Sequence, residues 1–100
     1  MRRGDIWTIR PINHPKPRPG VILSVDAWNR HAPDVIVVPL TTRSGPSRPA
    51  IRHASLKQDS FAKCGSLAAI PKDRLGHRLG HLDADALAVV EREVRRVIGI

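Results

Sequence analysis

The stretch V-I-V-V-P-L at residues 35–40 decides the fold, together with V-I-L-S-V at residues 21–25. Both are runs of β-branched and aliphatic residues with the length of a strand, and neither alternates cleanly between apolar and polar positions. A strand without such alternation is covered on both of its faces. The two stretches therefore predict two central strands of a sheet.

Shorter elements surround these two strands. Residues 5–9 are predicted as a first strand, and residues 11–19 as a loop because four prolines there remove backbone donors and fix φ. Residues 26–30 predict one helical turn with Asp26 as its N-cap. Residues 42–49 are predicted as a mobile loop, residues 51–56 and 61–70 as further strands, and residues 71–76 as a turn.

The C-terminal segment predicts a helix. Asp83 is a suitable cap, and Leu87, Val90, Val94 and Val97 recur at intervals of three and four residues. We expect this stripe to pack on the strands while the charged side chains face solvent. Several short strands and one terminal helix predict a mainly β (α+β) fold, a small SH3-like β-barrel with a C-terminal helix, in a single domain over residues 1–100.

The chain is strongly basic. Its 17 Lys and Arg outnumber nine Asp and Glu, which gives a formal net charge of +8. Arginine dominates the excess, and its planar fork of donors matches two phosphate oxygens at once. RNA or DNA is the natural partner of such a surface. On charge alone, a solvated surface that is merely rich in arginine remains an equal alternative.

Cysteine usage and hydropathy indicate the compartment. Cys64 is the single cysteine, which excludes an intramolecular disulfide and fits a reducing environment. The N-terminal residues carry two arginines without the apolar run of a signal peptide, and no stretch approaches the length of a membrane span. We therefore predict a cytoplasmic protein that does not contact a membrane.

Several short motifs follow the order and spacing of a known family. R-G-D-I-W at residues 3–7 is followed by R-P at 18–19, V-I-L-S at 21–24 and V-V-P-L-T-T at 37–42. P-K-D-R-L at 71–75 and L-G-H-L at 79–82 precede the last helix. With these landmarks spread over nearly the whole chain, the sequence resembles the MazF/PemK family of toxins.

The resemblance implies a fold, an activity and partners. The fold would be the barrel of MazF-, Kid- and CcdB-like toxins, assembled as a homodimer. The activity would be that of an endoribonuclease, an mRNA interferase of a type II toxin-antitoxin system, that cleaves single-stranded RNA at short sequences without a metal or other cofactor. The substrate's own 2′-hydroxyl would attack, leaving a 2′,3′-cyclic phosphate and a 5′-hydroxyl. A cognate antitoxin would occupy the RNA groove through its disordered tail.

Three residues are predicted to carry the chemistry. Transesterification needs a base, an acid, and donors for the charge that develops on phosphorus. Arg18 is the candidate donor, since prolines on both sides stiffen its backbone and it matches the arginine that the family uses there. Thr41 ends a predicted strand at the family's catalytic Thr or Ser, and His14 has a side chain suited to acid–base work at neutral pH. A solvated arginine, a strand-forming threonine and a surface histidine are the alternatives.

Five further residues are predicted to bind substrate. They are polar or cationic, and all lie in the predicted loops except Lys63, which lies in the strand predicted over residues 61–70: Lys63, Thr42, Arg43, Lys16 and Arg48. Each can equally be an ordinary surface group.

The sequence departs from the family pattern after Lys63. Gly65 stands where relatives have an acidic residue, Ser66 where they have glutamine, and Ala68 where arginine is common. The acidic residue is a candidate base, so either His14 takes that role or activity is reduced.

Other side chains are set aside as sites. His77 and His81 have a helical metal spacing, but the adjacent glycines argue against a helix, so no metal site is predicted. Cys64 is interpreted as a small buried hydrophobe. Trp28 or Phe61 could stack on a base, although core or dimer roles are favoured for most of the three aromatic residues.

Two alternative functions remain open. Toxins of the same barrel that act on DNA gyrase resemble this chain in size and in ending with Gly-Ile, as Gly99 and Ile100 do here, but Ile98 replaces their tryptophan. A catalytically inert RNA-binding relative is the other alternative, because the family's acidic residue is missing at Gly65.

Overall fold

A computed structural model describes residues 1–11 and 15–100. Within these residues the strands are β1 (Asp5–Ile9), β2 (Arg18–Ile22), β3 (Asp34–Thr41), β4 (Ala50–Ile51), β5 (Ser60–Ala62), β6 (Ala68–Pro71) and β7 (Leu75–His81), and the α-helices are α1 (Asp26–His31) and α2 (Ala84–Ile98). Two 3₁₀ turns, Cys64–Ser66 and Lys72–Arg74, join the later strands. The mainly β fold with a C-terminal helix is confirmed.

All strand pairs are antiparallel, and the strands form one curled sheet in the order β4-β5-β3-β2-β1-β7. β5 pairs with the C-terminal half of β3, where Leu40 lies opposite Ala62. β6 pairs with its N-terminal half, from Asp34 to Val37. The single strand predicted over residues 61–70 is therefore wrong. The chain first pairs with one half of β3 as β5 and then with the other half as β6. The 3₁₀ turn Cys64–Ser66 connects these two strands.

β2 begins three residues earlier than predicted, inside the expected loop. Arg18 pairs with Ile9, and Pro19 pairs with Thr8. On the opposite edge, β3 pairs with β2 only from Gly20 onward. Because only alternate residues donate to a given neighbour in an antiparallel ladder, and β3 does not pair with Pro19, the strand tolerates its missing N–H.

The sheet is covered on both faces, as the two apolar stretches predicted. On one face, Val21, Val38 and Leu40 belong to a buried cluster that Val90 and Val94 of α2 complete. The residues that alternate with these point to the other face and form a second, smaller cluster: Ile9, Ile22, Val35 and Val37, with Trp7, Ile70 and Leu75 packed against it. The helix therefore lies on one side of the sheet, and β6 and β7 curl over the other.

Helix α2 begins at the cap that its sequence predicted, Asp83. The Asp83 carboxylate accepts a hydrogen bond from the Ala86 amide at 2.8 Å, which satisfies one of the free donors of the first turn. Gly99 ends the helix in the left-handed region at φ 81°. Val90 and Val94 are buried, but Val97 is 42% exposed. Its neighbour across the interface is Gly65, which has no side chain to cover it.

Three local predictions are wrong. Asp26 is the first residue of α1 and does not cap it; the cap is Val25, and the Asp26 carboxylate instead accepts the Arg3 amide at 2.7 Å. The strand predicted over residues 51–56 ends at Ile51, because the chain turns at His53, whose ring bonds the amide of Ser55 at 3.1 Å.

The third difference is strand β7, which the sequence did not predict. The turn expected over residues 71–76 ends at Arg74, and Leu75 already starts the strand. Gly76 and Gly80 obscured the strand pattern, but both are required for close packing. A Cβ at Gly76 would collide with the Thr8 hydroxyl, and one at Gly80 would collide with the His53 ring. No helix in the described residues is long and apolar enough to cross a membrane.

Candidate active site

A groove of about 530 Å³ opens on the face of the sheet that lies away from α2. Its floor is apolar and includes Ile9, Val37 and Ile70, which belong to or pack against the second cluster. Three prolines contribute to its walls, at positions 11, 19 and 39. Proline has a fixed φ, so these walls are stiff. The groove is therefore a preformed surface at the ends of β1 and β3 and the start of β2.

Five of the eight predicted site residues line this groove. They are two hydroxyl and three cationic residues: Arg18, Thr41, Thr42, Arg43 and Lys63. They are far apart in the chain and meet because β1 and β3 end, and β2 begins, at the same place. No carboxylate side chain lies among the described lining residues, so the groove presents positive charge to an anionic ligand.

Strand geometry positions each of these side chains. Arg18 is the first residue of β2 and pairs with Ile9 at the end of β1. Thr41 is the last residue of β3 and alternates onto the same face as Val37, which forms the floor. Lys63 follows β5, and its amide donates to the Pro39 carbonyl at 2.8 Å. All three backbones are held by the sheet and not by a free loop.

Thr41 is half-buried and hydrogen-bonded to the chain that follows it. Its hydroxyl oxygen accepts the Arg43 amide at 3.3 Å. This bond uses a lone pair of the oxygen, so the hydroxyl proton is left for donation to a phosphate oxygen. Arg48 lies outside the groove lining and donates to the Arg43 carbonyl at 3.1 Å. Its observed role is to brace the loop that carries Arg43.

The remaining predicted site residues lie elsewhere. Lys16 is exposed in the segment before β2 and is not among the groove residues. His14, predicted as acid or base, lies outside the described residues. The apolar floor of the groove was not predicted from the sequence. The available signal was that residues 35, 37, 39 and 41 are two apart along β3 and so share one face of the strand.

The buried carboxylate of Asp5 is at the opposite end of β1 from the groove. It is 2% exposed and bonds the side chains of His81 at 2.9 Å and Arg78 at 3.2 Å. Burial acts to raise the pKa of Asp5, but hydrogen bonds from His81, the Arg2 amide, Arg78 and Trp7 outweigh it and lower that pKa to about 2. The group is a structural anion that ties the start of β1 to the neighbouring strand β7.

The side chains that the sequence set aside are structural in this fold. Cys64 is fully buried, and burial, with the nearby Glu93, raises the pKa of its thiol to about 11. His81 bonds Asp5, whereas His77 lies 3.4 Å from the Thr8 hydroxyl, and both are on a strand. The spacing of four residues between them is therefore not the spacing of two ligands on one turn of a helix.

Two further positions bear on the predictions. A Cβ added at Gly65 meets only Val97 of α2 within 4 Å, so this departure from the family pattern faces the helix and not the groove of the same chain. Trp28 is 49% exposed on α1 and does not line the groove, which makes a core role for this residue wrong.

Residues 2–98 match the family described as PemK-like, MazF-like toxins of type II toxin-antitoxin systems. The chain therefore belongs to this toxin family. A curated relative, the probable endoribonuclease MazF of Mycolicibacterium smegmatis, is 32% identical over 109 residues, which cover 100% of this chain and 98% of the relative.

Solved structures agree with this assignment. A mycobacterial endoribonuclease in complex with its cognate antitoxin is 25% identical with a TM-score of 0.86, over 100% of this chain and 96% of that one. A MazE-MazF structure from Deinococcus radiodurans is 20% identical with a TM-score of 0.84, over 100% and 96% of the two chains, and shows the same fold.

Proposed function

We propose that this protein is the toxin of a type II toxin-antitoxin system and cleaves single-stranded RNA, sequence-specifically and without a metal ion, in the groove at the ends of β1 and β3. The observation that carries the proposal is the convergence of Arg18, Thr41 and Lys63 on one stiff, apolar groove that lacks a carboxylate in its described lining. The similarity to a probable endoribonuclease over the whole chain supports the same activity.

The proposed reaction is an attack by the RNA's own 2′-hydroxyl on the adjacent phosphorus. The O2′–P bond forms and the P–O5′ bond breaks, which yields a 2′,3′-cyclic phosphate and a 5′-hydroxyl. The 2′-hydroxyl proton goes to a base, for which His14 is the candidate, and the leaving 5′-oxygen takes a proton from an acid, either the protonated base or solvent water. Negative charge accumulates on the phosphate oxygens in between.

The groove residues have distinct proposed roles in this reaction. Arg18 donates two N–H groups to the phosphate oxygens and stabilises the developing charge. The Thr41 hydroxyl donates to a phosphate oxygen, since its lone pair already accepts the Arg43 amide. Lys63, Thr42 and Arg43 hold the neighbouring phosphates. Lys16 and Arg48 add positive charge beside the groove.

The proposed partners follow from the same surface. An extended acidic segment of a cognate antitoxin would compete with RNA for a cationic groove, and a related endoribonuclease has been solved with its cognate antitoxin. We also propose a homodimer that acts in the cytoplasm. Exposed apolar residues in the last turn of α2, Val97 and Ile98, are consistent with a protein interface on the helix side.

The test is to incubate the protein with a long single-stranded RNA in excess EDTA and to map the new 5′ ends. We expect discrete cuts with 5′-hydroxyl termini, and a loss of at least a hundredfold in rate for Arg18→Ala. Arg92→Ala is the matched control, because Arg92 is an exposed arginine of α2, on the other side of the sheet. Intact RNA from folded protein that still binds RNA would identify an inert RNA-binding relative instead.

A further inference from the structure

The side chains of Arg10 and Arg74 both donate hydrogen bonds to backbone carbonyls at the junction between β1 and the turn before β7. Arg10 Nη2 donates to the Asp73 carbonyl at 2.9 Å, and Arg74 Nη1 donates to the Arg10 carbonyl at 2.9 Å. The Arg10 amide also donates to the Arg74 carbonyl at 2.9 Å. These three bonds join the end of β1 to the 3₁₀ turn Lys72–Arg74 and restrain both guanidinium groups at this one junction.

The two charges are not neutralised. In residues 1–11 and 15–100, neither Arg10 nor Arg74 has a carboxylate within the 4.0 Å of an ion pair. Each guanidinium has five N–H donors and uses one of its nitrogens on the backbone, so donors remain on both. Arg10 is exposed and Arg74 half-buried. Two cationic side chains at one junction, with no carboxylate in an ion pair with either, favour the binding of an anion there.

The pair lies next to groove-lining residues in the chain, although neither arginine is among the described residues that line the groove. Ile9 and Pro11, the residues on either side of Arg10, both line it. Ile9 pairs with Arg18 on one edge of β1 and with Leu75, the residue after Arg74, on the other. The backbones of Arg18 and Leu75 thus flank the end of β1 on both sides, about 10 Å apart, which is two strand spacings, and Arg74 directly precedes Leu75.

We propose that Arg10 and Arg74 form a second phosphate-binding site, which holds the backbone of the RNA strand where it leaves the groove. The proposal rests on the proposed function for the identity of the ligand. The pair is preorganised, since the backbone bonds already restrict both side chains and little freedom remains to be lost when a phosphate binds. Its role is to bind RNA of more than a few nucleotides and not to take part in the bond-breaking step.

The alternative is that Arg10 and Arg74 only hold the turn in place by hydrogen bonds and do not bind phosphate. Two double variants distinguish these roles. In the double variant Arg10→Gln, Arg74→Gln, each side chain keeps N–H donors for the carbonyls but loses its charge. In Arg10→Lys, Arg74→Lys, the charge is kept and the planar fork is lost. Arg92→Gln removes one exposed charge on the helix side and is the control.

The measurement is the affinity of the protein for a fluorescent 2′-O-methyl RNA of about 20 nucleotides, followed over a range of salt concentrations. This RNA cannot be cleaved, so the readout does not depend on catalysis. We expect the Gln double variant to bind about tenfold more weakly at low salt, with a salt slope reduced by about 0.7 for each phosphate that is no longer neutralised. The Lys double variant retains most of the slope, and a four-nucleotide RNA binds the wild type and the Gln variant equally.

An unchanged slope in the Gln variant, or the same loss of affinity with Arg92→Gln, would overturn the site. A slope change in a protein that leaves ordinary RNA intact would support the site while the proposed nuclease activity failed. Absence of RNA binding by the wild type would overturn both.

Discussion

Nδ1 of His81 lies 2.9 Å from the buried carboxylate of Asp5, and their contact joins the first residue of β1 to the last residue of β7. With the other hydrogen bonds to this carboxylate, it holds the folded-state pKa at about 2, below the ordinary value of 3.8. A lowered pKa means that the carboxylate stabilises the fold above about pH 4. The contribution disappears as the pH falls through about 2.

Asp5→Asn should therefore remove a pH-dependent part of the stability. We expect a loss of about 2 kcal/mol in the free energy of unfolding at pH 7, and a shallower fall in stability between about pH 4 and 2 than in the wild type. Urea unfolding at a series of pH values measures both. Asp59→Asn, at an exposed position, is the control, and equal acid slopes for Asp5→Asn and the wild type would contradict the assignment.

Thr41 should respond to the loss of its hydroxyl and not to a change of shape. Thr41→Val keeps the β-branched side chain at the end of β3 but removes the donor, and we expect the cleavage rate to fall about a hundredfold. Thr41→Ser restores the hydroxyl and should recover most of the rate. Single-turnover kinetics on one defined RNA give the comparison; equal activity of the Val and Ser variants would exclude the proposed role.

Lys63 should act on binding more than on the chemical step. Lys63→Met keeps the length of the half-buried side chain and removes its charge, and we expect KM to rise about tenfold with a smaller change in kcat. Lys57→Met, at an exposed position outside the groove, serves as the control. A loss confined to kcat would place Lys63 in the reaction instead.

Gly20 should be intolerant of any side chain. A Cβ there would collide with the end of Ile9 and lie 2.6 Å from Cγ1 of Val37, both in the buried floor of the groove. We expect Gly20→Ala to destabilise the protein by about 1–3 kcal/mol, visible as a lower Tm. Gly45→Ala in the exposed loop meets only the flexible Arg48 side chain and should change Tm little. Equal shifts for the two variants would show that the floor can relax.

Much of the fold could be predicted because its strongest signals are local. The apolar stretch that became β3 and the capped, periodic segment that became α2 carry their structures in a few adjacent residues. The bounds of the strands after β3 could not be predicted because their pairing depends on distant partners. β5 and β6 share β3 between them, and β7 is recognisable only once Thr8 and His53 are seen to occupy the space at its glycines.

The candidate site, like the fold, could be predicted only in part. Arg18, Thr41 and Lys63 could be named from short motifs, and the groove brings them together. The reciprocal bonds between Arg10 and Arg74 could not be predicted, since nothing in the sequence relates two arginines that are 64 positions apart. Nor could the motifs separate Arg43, which lines the groove, from Arg48, which braces it.

The two faces of the sheet are covered by buried clusters of unequal size. Among the described residues, ten buried side chains form the cluster under α2, and four form the cluster beneath the groove. A region held by fewer buried side chains opens locally at a lower free energy. Amide protons of the strand ends beside the groove should therefore exchange sooner than those of α2, whose buried residues belong to the larger cluster. A ligand that fills the groove stabilises the less stable side of the sheet. Binding of RNA or of a protein partner should therefore slow local opening there, in addition to blocking the groove to other ligands.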